Sequence, residues 1–397
     1  MNSPLLPEPQ PVFERVENSN EIIGIDNRLI QDKQKRIPEL DGLRGIAVLM
    51  VVAFHYVNNQ LINSNTYLGR IFYKLTSVGW VGVDLFFVLS GFLIGTILMN
   101  NRDSKNYFST FYIRRIVRII PNYYLLIALF GIICSIPFFS SDYFLTGNNV
   151  IPIWAYLVML HNIFIAHRQN FGNTSVSVTW SIGVEEQFYI VFPFLVYLLK
   201  EKWLPWLLVL AIIIAPIVRM QYNNWVPAYV LLPCRMDSIA FGALIAYTNH
   251  FHSLSAFVRR YRTAIVFMLV LDVAICIFLS ARYGDLGIFR NTLFAIVFSA
   301  MVVFALVYKN SIYGSILRLK KLVWIGTISY SLYLFHDMII GLCRHFLGNL
   351  GENALETGRG GLVTIVALIL SIGFSWLVYK RLETPFVNFG KKFKYQE

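Results

Sequence analysis

Repeated apolar runs of about twenty residues constrain this chain most strongly, because each is long enough to cross roughly 30 Å of hydrocarbon. The 397 residues are 56% hydrophobic and only 14% charged, with a mean hydropathy of +0.58. A soluble domain of this length carries about a quarter charged residues. We therefore predict an all-α polytopic membrane protein with about ten transmembrane helices in one bundle.

The apolar runs define the predicted spans and one ambiguous segment. The spans cover residues 41–61, 80–99, 119–139, 183–200, 203–221, 226–247, 263–281, 287–308, 323–346 and 361–380. Residues 150–166 (IPIWAYLVMLHNIFIAH) are ambiguous, and the distribution of Lys and Arg decides, because cytoplasmic loops carry an excess of both. If 150–166 does not cross, the basic loops share one side with Lys33, Lys35 and Arg36. We therefore predict about ten crossings with both termini in the cytoplasm.

The two ends of the chain differ from its apolar part. Residues 1–36 are polar without a signal-peptide pattern, so we expect a disordered cytoplasmic tail. Residues 37–390 form the predicted membrane domain, and 391–397 a basic cytoplasmic tail. The net charge of +12 fits Lys and Arg that orient the chain in the membrane better than it fits nucleic-acid binding. The four cysteines lack C-x-x-C spacing and predict neither a disulfide framework nor a zinc site.

The stretch DGLRGIAVLMVVAFHY, residues 41–56, carries Arg44 and His55 within an apolar run. Eleven residues at about 100° each return to within about 20° of one face, so both side chains share a stripe, about 16 Å apart in height. Snorkelling from a helix end would explain Arg44 alone. His55 lies deeper, where a buried imidazole needs a hydrogen-bond partner. Together they predict a polar stripe reaching about half the depth of the membrane.

A second polar group lies in TWSIGVEEQFYIV, residues 179–191. Ser181, Glu185 and Tyr189 follow at i, i+4 and i+8 and therefore line one helical face. The alternative is an ordinary polar helix start, with Ser181 as N-cap. That alternative leaves Tyr189 unexplained, so we favour a functional stripe.

A third group is FYIRRIVRIIPNYY, in which Arg114 and Arg118 share a face beside Arg115. Pro121 predicts a break in the helix. The three guanidiniums suit a topology anchor or lipid-phosphate site. They equally suit a phosphorylated cytosolic ligand, because Arg pairs bidentately with phosphate oxygens. The residues alone leave these readings open.

Further polar residues interrupt later apolar runs. Arg235 and Asp237 in LPCRMDSIAFG predict a structural pair in which each neutralises the other. Asp84 in GVDLFFVLSG and the neighbours His336 and Asp337 in SYSLYLFHDM have no assigned role.

Four of these stretches together resemble the membrane-bound acyltransferase-3 family: ELDGLRGIAVLMVVAFH, GVDLFFVLSGFLIG, FYIRRIVRIIPNYY and TWSIGVEEQFYIVFP. PCRMDSIAFGALIA and SYSLYLFHDMII are similar to its weaker downstream pattern. The resemblance covers about residues 37–390. It implies a ten-helix bundle that moves acyl groups, usually acetyl from acetyl-CoA, to hydroxyls of extracytoplasmic glycans.

The resemblance also implies roles for the first polar stripe. Arg44 and His55 stand at the family's R-x10-H motif, with His55 as catalytic base or acyl carrier. We place Glu185 with them in the catalytic group. A histidine suits this chemistry because a hydroxyl needs a base with a pKa near 7, and the thioester oxyanion needs nearby positive charge.

The remaining motifs imply binding roles. Arg114, Arg115 and Arg118 stand at the RR-x-x-R motif, which implies the CoA phosphate site. Ser181 and Tyr189 belong to an S-x3-E-x3-Y pattern on the acceptor side.

The resemblance predicts acyl-CoA as donor substrate and no permanently bound cofactor or metal. The expected partners are a carbohydrate or lipid-linked glycan acceptor and membrane lipids, without nucleic acid, in a bacterial cytoplasmic membrane. The competing class is a transporter or flippase, in which intramembrane charges mark a substrate path. Such proteins favour internal repeats, and the sequence shows none.

Overall fold

The computed structural model describes residues 36–139, 151–283, 287–348 and 354–396, and over these ranges the chain is helical without a β-strand. The predicted tail over residues 1–35 lies outside them. We number the helices in chain order. The longer helices are α1 (Pro38–Tyr56), α3 (Gly82–Asn100), α4 (Tyr107–Ser135), α8 (Trp180–Leu198), α9 (Leu204–Arg219), α11 (Leu232–Phe251), α13 (Arg262–Tyr283), α14 (Arg290–Val307), α17 (Ser329–Leu347) and α18 (Gly358–Val378). The shorter helices are α2 (Tyr67–Thr76), α5 (Ile153–Leu157), α6 (His161–Arg168), α7 (Thr174–Ser177), α10 (Trp225–Val230), α12 (Leu254–Arg260), α15 (Ile312–Leu317), α16 (Lys320–Thr327) and α19 (Thr384–Gly390).

The helices confirm an all-α, multi-pass membrane protein. Among the described residues, eight segments are long and apolar enough to cross a membrane, and α16 with α17, bent by 72°, would make a ninth. Helix α13 covers the predicted span 263–281, but part of its side chains lie outside the described residues and it is not among the eight. The predicted break at Pro121 is wrong, because α4 continues through it to Ser135.

The ambiguous segment 150–166 does not form a span. It holds α5 and the start of α6, which are five and eight residues long and too short to cross. Met159, between them, has a φ of 57°, a left-handed conformation that side-chain-bearing residues rarely adopt. The described part of the segment, residues 151–166, therefore holds no helix long enough to span, which is consistent with the prediction that 150–166 does not cross.

The centre of the bundle is the contact of α11 with α3 and α9. The backbones of α3 and α11 meet at two glycines. A Cβ on Gly91 would lie 2.0 Å from the carbonyl oxygen of Ile239, and one on Gly242 would lie 2.0 Å from that of Val88. Because only glycine permits this approach, the two helices interlock closely, as small residues allow in membranes.

Two buried ion pairs cross this centre, and they overturn the predicted pairing of Arg235 with Asp237. Arg235 donates to Asp84 of α3 over 2.8 Å, whereas Asp237 accepts from Arg219 of α9 over 2.7 Å. The prediction is wrong because residues at i and i+2 do not face each other on a helix. The charges therefore join α11 to two different neighbours.

Candidate active site

A cavity of about 160 Å³ lies between α1, α3, α4, α8 and α17 and has both polar and apolar lining residues. Apolar side chains of α3, including Phe86 and Leu93, form part of its wall. The polar and charged lining residues are Arg44, Ser90, Arg115, Arg118, Ser181, Glu185, Tyr189, Ser329, Tyr330 and Tyr333. Of the eight site residues predicted from the sequence, six therefore lie at one cavity; His55 and Arg114 do not line it.

Three guanidiniums converge on the cavity, and we call Arg44 of α1 with Arg115 and Arg118 of α4 the arginine cluster. Within the described ranges, none of the three is hydrogen-bonded or within 4.0 Å of a carboxylate. Arg115 lies over the ring of Tyr189, 5.8 Å from its centroid. Because a guanidinium keeps its charge, the cluster favours an anion with several acceptor oxygens.

The stripe predicted on α8 forms another part of the cavity wall. Tyr189 donates to Glu185 Oε2 over 3.2 Å and lies 2.5 Å from the hydroxyl of Ser90. Ser181 lies 2.8 Å from the hydroxyl of Tyr333. Ser181 is not an N-cap, because Thr179 occupies that position and makes no side-chain cap. The stripe therefore presents hydroxyls and one carboxylate to the cavity.

Glu383 is a charged neighbour of the cluster that the sequence did not reveal. It ends a π-helical turn, Tyr379–Glu383, between α18 and α19. Its carboxylate accepts from Asn122 over 3.0 Å and from Ser331 over 3.1 Å, and it lies within electrostatic range of Arg44 and Arg118. Such π-turns inside long helices are frequent at functional sites. Glu383 partly balances the cluster without pairing with it.

Arg114 does not line the cavity with the other two arginines of its motif. Its Nε donates to the carbonyl oxygen of Phe393 over 2.8 Å, and its guanidinium lies 5.2 Å from the centroid of the Tyr395 ring. The predicted phosphate site thus keeps Arg115 and Arg118 at the cavity, while Arg114 contacts the segment that follows α19.

His55, at the end of α1, is held by a carboxylate from α17. Its Nδ1 lies 2.6 Å and 2.7 Å from the two oxygens of Asp337. Asp337 is buried, whereas the His55 side chain is 21% exposed. A carboxylate only accepts, so Nδ1 carries the proton and Nε2 is left with a free lone pair. This orientation is the one that a general base requires.

His336 links this pair to the cavity. Its ring lies 5.0 Å from that of His55 and 6.1 Å from that of the cavity residue Tyr333. Its Nδ1 donates to the Tyr333 carbonyl oxygen over 2.8 Å. Its buried Nε2 lies 3.5 Å from Asp337 and has no hydrogen-bond partner in the described chain. The sequence placed Arg44 and His55 on one stripe of α1. In the structure, α17 joins the cavity at Arg44 to the pair of His55 with Asp337.

The same three groups have the composition of a small metal site. Ligand atoms of His55, His336 and Asp337 all lie within 4.8 Å of one another. The hydrogen bond between His55 and Asp337 already uses two of them. The absence of a metal remains a prediction.

Sequence reasoning missed the roles of Asp337 and Glu383. Asp337 was visible as a carboxylate inside an apolar run, which in a membrane marks a functional group by default. Its partner His55 lies 282 residues away, so no spacing rule could join them. Glu383 gave no signal, because it follows a basic pair at the end of an apolar run.

The fold and the cavity together define a multi-pass helical membrane protein with an anion-receptive polar centre. Its family follows from comparison with known sequences. The chain belongs to the acyltransferase-3 family, whose model, described as an acyltransferase domain, matches residues 37–380. The resemblance drawn from the motifs is thereby confirmed, over nearly the range expected.

Curated relatives carry related names. The chain is 28% identical over 392 residues to the peptidoglycan O-acetyltransferase OatA of Listeria monocytogenes, covering 92% of this chain and 59% of that protein. It is 29% identical over 327 residues to a putative peptidoglycan O-acetyltransferase of Bacillus subtilis, covering 77% and 49%. A putative O-acetyltransferase of Staphylococcus aureus is 25% identical over 388 residues, covering 91% and 59%.

The chain spans about three fifths of the length of the Listeria and Staphylococcus relatives, and about half of the Bacillus relative. No solved structure matches it.

Proposed function

We propose that this protein is a membrane O-acyltransferase that moves an acyl group, acetyl in the first instance, from acyl-CoA to a hydroxyl of a carbohydrate outside the membrane. The observation that carries the proposal is the arginine cluster: three guanidiniums face one cavity without an ion pair among the described residues. Unpaired charge at low dielectric is costly, so it is retained where a ligand offsets it.

The donor suits the cluster by charge and geometry. Phosphate groups of CoA accept bidentate hydrogen bonds from guanidinium forks, which Arg115 and Arg118 supply. Arg44 lies at the same cavity and adds a third guanidinium to the proposed phosphate site. A lipid-phosphate anchor would place the guanidiniums at the headgroups, whereas here they line an internal space.

His55 supplies the proton chemistry. The Nε2 lone pair takes the proton of the acceptor hydroxyl while that oxygen forms its bond to the thioester carbonyl carbon. The tetrahedral intermediate collapses by breaking the C–S bond, and the imidazolium returns its proton to the departing thiolate. Asp337 holds the required tautomer and stabilises the imidazolium. Atoms and charge balance without a metal or redox partner.

The acceptor side is proposed for α8. The hydroxyls of Ser181 and Tyr189 offer hydrogen bonds of the kind that sugar hydroxyls need. Glu185 holds Tyr189 and places a carboxylate within electrostatic range of Arg44 and Arg115. The names of the relatives in Listeria and Bacillus support a carbohydrate acceptor of the peptidoglycan type.

The proposed location is a bacterial cytoplasmic membrane with both ends of this chain inside, because the basic loops then share the cytoplasmic side. A reporter that is active only outside the cell, fused after residue 396, should be silent. An active reporter would contradict this orientation.

The experiment that tests the function follows label through the reaction. The protein in lipid nanodiscs is given acetyl-CoA labelled in the acetyl group and a peptidoglycan oligosaccharide, and labelled oligosaccharide is measured. His55→Ala should lower the rate by about 10²–10⁴-fold while the protein still binds CoA. The matched control is His252→Ala, an exposed histidine in the loop after α11.

His55→Gln separates proton chemistry from shape, because glutamine forms hydrogen bonds but does not titrate in this range. It should be as inactive as His55→Ala. An active His55→Gln enzyme would contradict a base or acyl carrier at this position. Label that crosses the membrane without a change in bonding would favour a transporter instead.

A further inference from the structure

The part of α3 that borders the cavity is centred on one row of residues, which we call the α3 stripe: Phe86, Ser90, Leu93 and Ile97. All four line the cavity and are half-buried, whereas most of the residues between them are buried. Their spacing of four, three and four residues keeps them on one face of the helix over about 16 Å. Because three of the four side chains are apolar, the stripe offers a mainly apolar surface to a ligand in the cavity.

Phe86 ends the α3 stripe at Tyr333, another residue of the cavity wall. The two rings meet edge to face, with centroids 5.8 Å apart. The ring of Tyr333 lies 6.1 Å from that of His336, which in turn lies 5.0 Å from that of His55. The four rings therefore follow one another from Phe86 at the cavity to His55.

The arginine cluster lies further along the stripe. Arg115 lies over the ring of Tyr189, 5.8 Å from its centroid, and the Tyr189 hydroxyl lies 2.5 Å from that of Ser90. Ser90 is one helical turn from Phe86. In the proposed reaction the donor has its phosphates at the arginine cluster and its thioester near His55. The acyl group would therefore lie at the Phe86 end of the stripe.

The wall that faces Phe86 is held in place. The hydroxyl of Tyr333 donates to the carbonyl oxygen of Val178 over 3.0 Å and lies 2.8 Å from the hydroxyl of Ser181. Closely packed side chains that are fixed in this way yield little to a larger neighbour. A longer acyl chain can therefore gain room here only from the Phe86 ring.

We propose that Phe86 sets the length of the acyl group that the protein transfers, because its ring leaves room for acetyl but not for butyryl. The inference rests on the proposed function, since it takes acyl-CoA as the ligand of the cavity. It identifies the acyl group by the space at one end of the α3 stripe. An apolar site discriminates by about 10- to 200-fold for one methylene group.

The test compares acetyl-CoA with butyryl-CoA as donors to a peptidoglycan oligosaccharide, with the protein in nanodiscs. Each donor is labelled in its acyl group, and the ratio of the two kcat/KM values is measured. This ratio does not depend on the fraction of the protein that is folded. The unmodified protein should favour acetyl-CoA, and Phe86→Ala should shift the ratio at least about tenfold towards butyryl-CoA.

Two further variants grade the size of the side chain. Phe86→Leu keeps an apolar group and should shift the ratio in the same direction as Phe86→Ala, but by less. Phe86→Trp enlarges the ring and should lower transfer from propionyl-CoA relative to acetyl-CoA. A change of preference that follows side-chain size is not expected if Phe86 serves only to pack α3.

The matched control is Phe92→Ala, which removes the same ring from a buried position of α3 outside the cavity lining. It should leave the ratio unchanged even if both rates fall. An unmodified protein that favours butyryl-CoA, or an unchanged ratio in the Phe86 variants, would overturn the inference while transfer itself upholds the proposed function. An equal shift in Phe92→Ala would overturn it as well. If the unmodified protein transfers neither acyl group, the proposed function fails and the inference fails with it.

Discussion

Two groups of arginines lie inside the bundle, and they differ in their burial and in the presence of a carboxylate partner. Arg219 and Arg235, at the contact of α9, α11 and α3, are 3% and 0% exposed, and each is within 2.8 Å of an aspartate. The arginine cluster at the cavity is only half-buried, and in the described chain it has no ion pair. The paired arginines join helices, whereas we propose that the unpaired ones bind an anion.

The surroundings of Arg235 strengthen the contrast. Its guanidinium lies within 6 Å of the ring centroids of Phe87, Trp180 and Tyr229, at 5.3, 5.7 and 5.1 Å. These rings and Asp84 surround the guanidinium. A desolvated cation over aromatic faces is stabilised electrostatically, which adds to the ion pair with Asp84.

The pair of His55 with Asp337 belongs to neither group. It is paired like Arg235, yet its histidine remains partly exposed, and imidazole is a side chain that can take up and release a proton. A fixed charge pair joins helices, whereas a pair with a titratable member performs chemistry. The predictions below test these distinctions.

The largest effect is expected at Asp337. Asp337→Asn keeps the shape but can present an amide N–H to His55, which favours the wrong tautomer. Acetyl transfer should fall about 10²–10⁴-fold with CoA affinity unchanged. The measurement is transfer of labelled acetyl to oligosaccharide per folded protein. Near-normal transfer would show that Asp337 has a structural role, like Asp84 and Asp237.

The next effect is on stability, at Arg235. Arg235→Met leaves Asp84 buried without its ion-pair partner and should lower the free energy of unfolding by about 3–5 kcal/mol. Adding Asp84→Leu removes the second charge and should restore much of the loss. Thermal unfolding in nanodiscs measures both variants. A single variant as stable as the parent but without CoA binding would contradict the structural role.

The sequence predicted the features that a single helix determines, such as which side chains share a face. Ser181, Glu185 and Tyr189 share a face by spacing alone, and the structure places all three at the cavity. The same reasoning placed Arg114 with Arg118 on one face, but the structure brings Arg115 and Arg118 to the cavity and Arg114 to the Phe393 carbonyl oxygen. The length of the apolar runs predicted a multi-pass helical protein, although it gave about ten crossings where the described residues contain eight or nine candidate spans.

What the sequence could not predict depends on contacts between distant helices. Asp337 reaches His55 across 282 residues, and Arg235 reaches Asp84 across 151. Arg114 also illustrates the limit, because its motif predicted phosphate binding while its partner is a backbone carbonyl 279 residues away. Helical periodicity states which face a side chain occupies but not which neighbour covers that face.

A smaller effect is expected at the cavity, where the loss of arginines should weaken CoA binding without lowering stability. Arg115→Gln with Arg118→Gln should weaken CoA binding more than tenfold, because two charge-assisted contacts are lost. Thermal stability without CoA should stay unchanged or rise, since two neighbouring cations are removed. Calorimetry and thermal unfolding on one preparation give both values. Lower stability with unchanged affinity would remove the contrast with Arg235.

The smallest effect is expected at His161, a buried histidine that is neutral in the folded protein. His161 begins α6 outside the spanning segments, is fully buried, and stacks on Tyr156 with ring centroids 4.8 Å apart. Burial lowers the pKa of His161 to about 4, while backbone groups of Thr179 and Ala155 oppose the shift. Unlike arginine, histidine can be buried without a charge, because it can lose its proton.

The sign of the pH dependence follows from the lowered pKa of His161. The unfolded chain binds a proton near pH 6.5 and the folded chain only near pH 4, so folding is most stable above pH 6.5 and weakens as the pH falls towards 4. At pH 5 the loss from this residue is about 2 kcal/mol. His161→Phe keeps the stacking on Tyr156 and has no proton to bind. Its melting temperature should therefore fall less than that of the parent between pH 7 and pH 5. Equal falls in both proteins would show that His161 already binds its proton when folded, and that an unpartnered buried cation can persist here without a ligand.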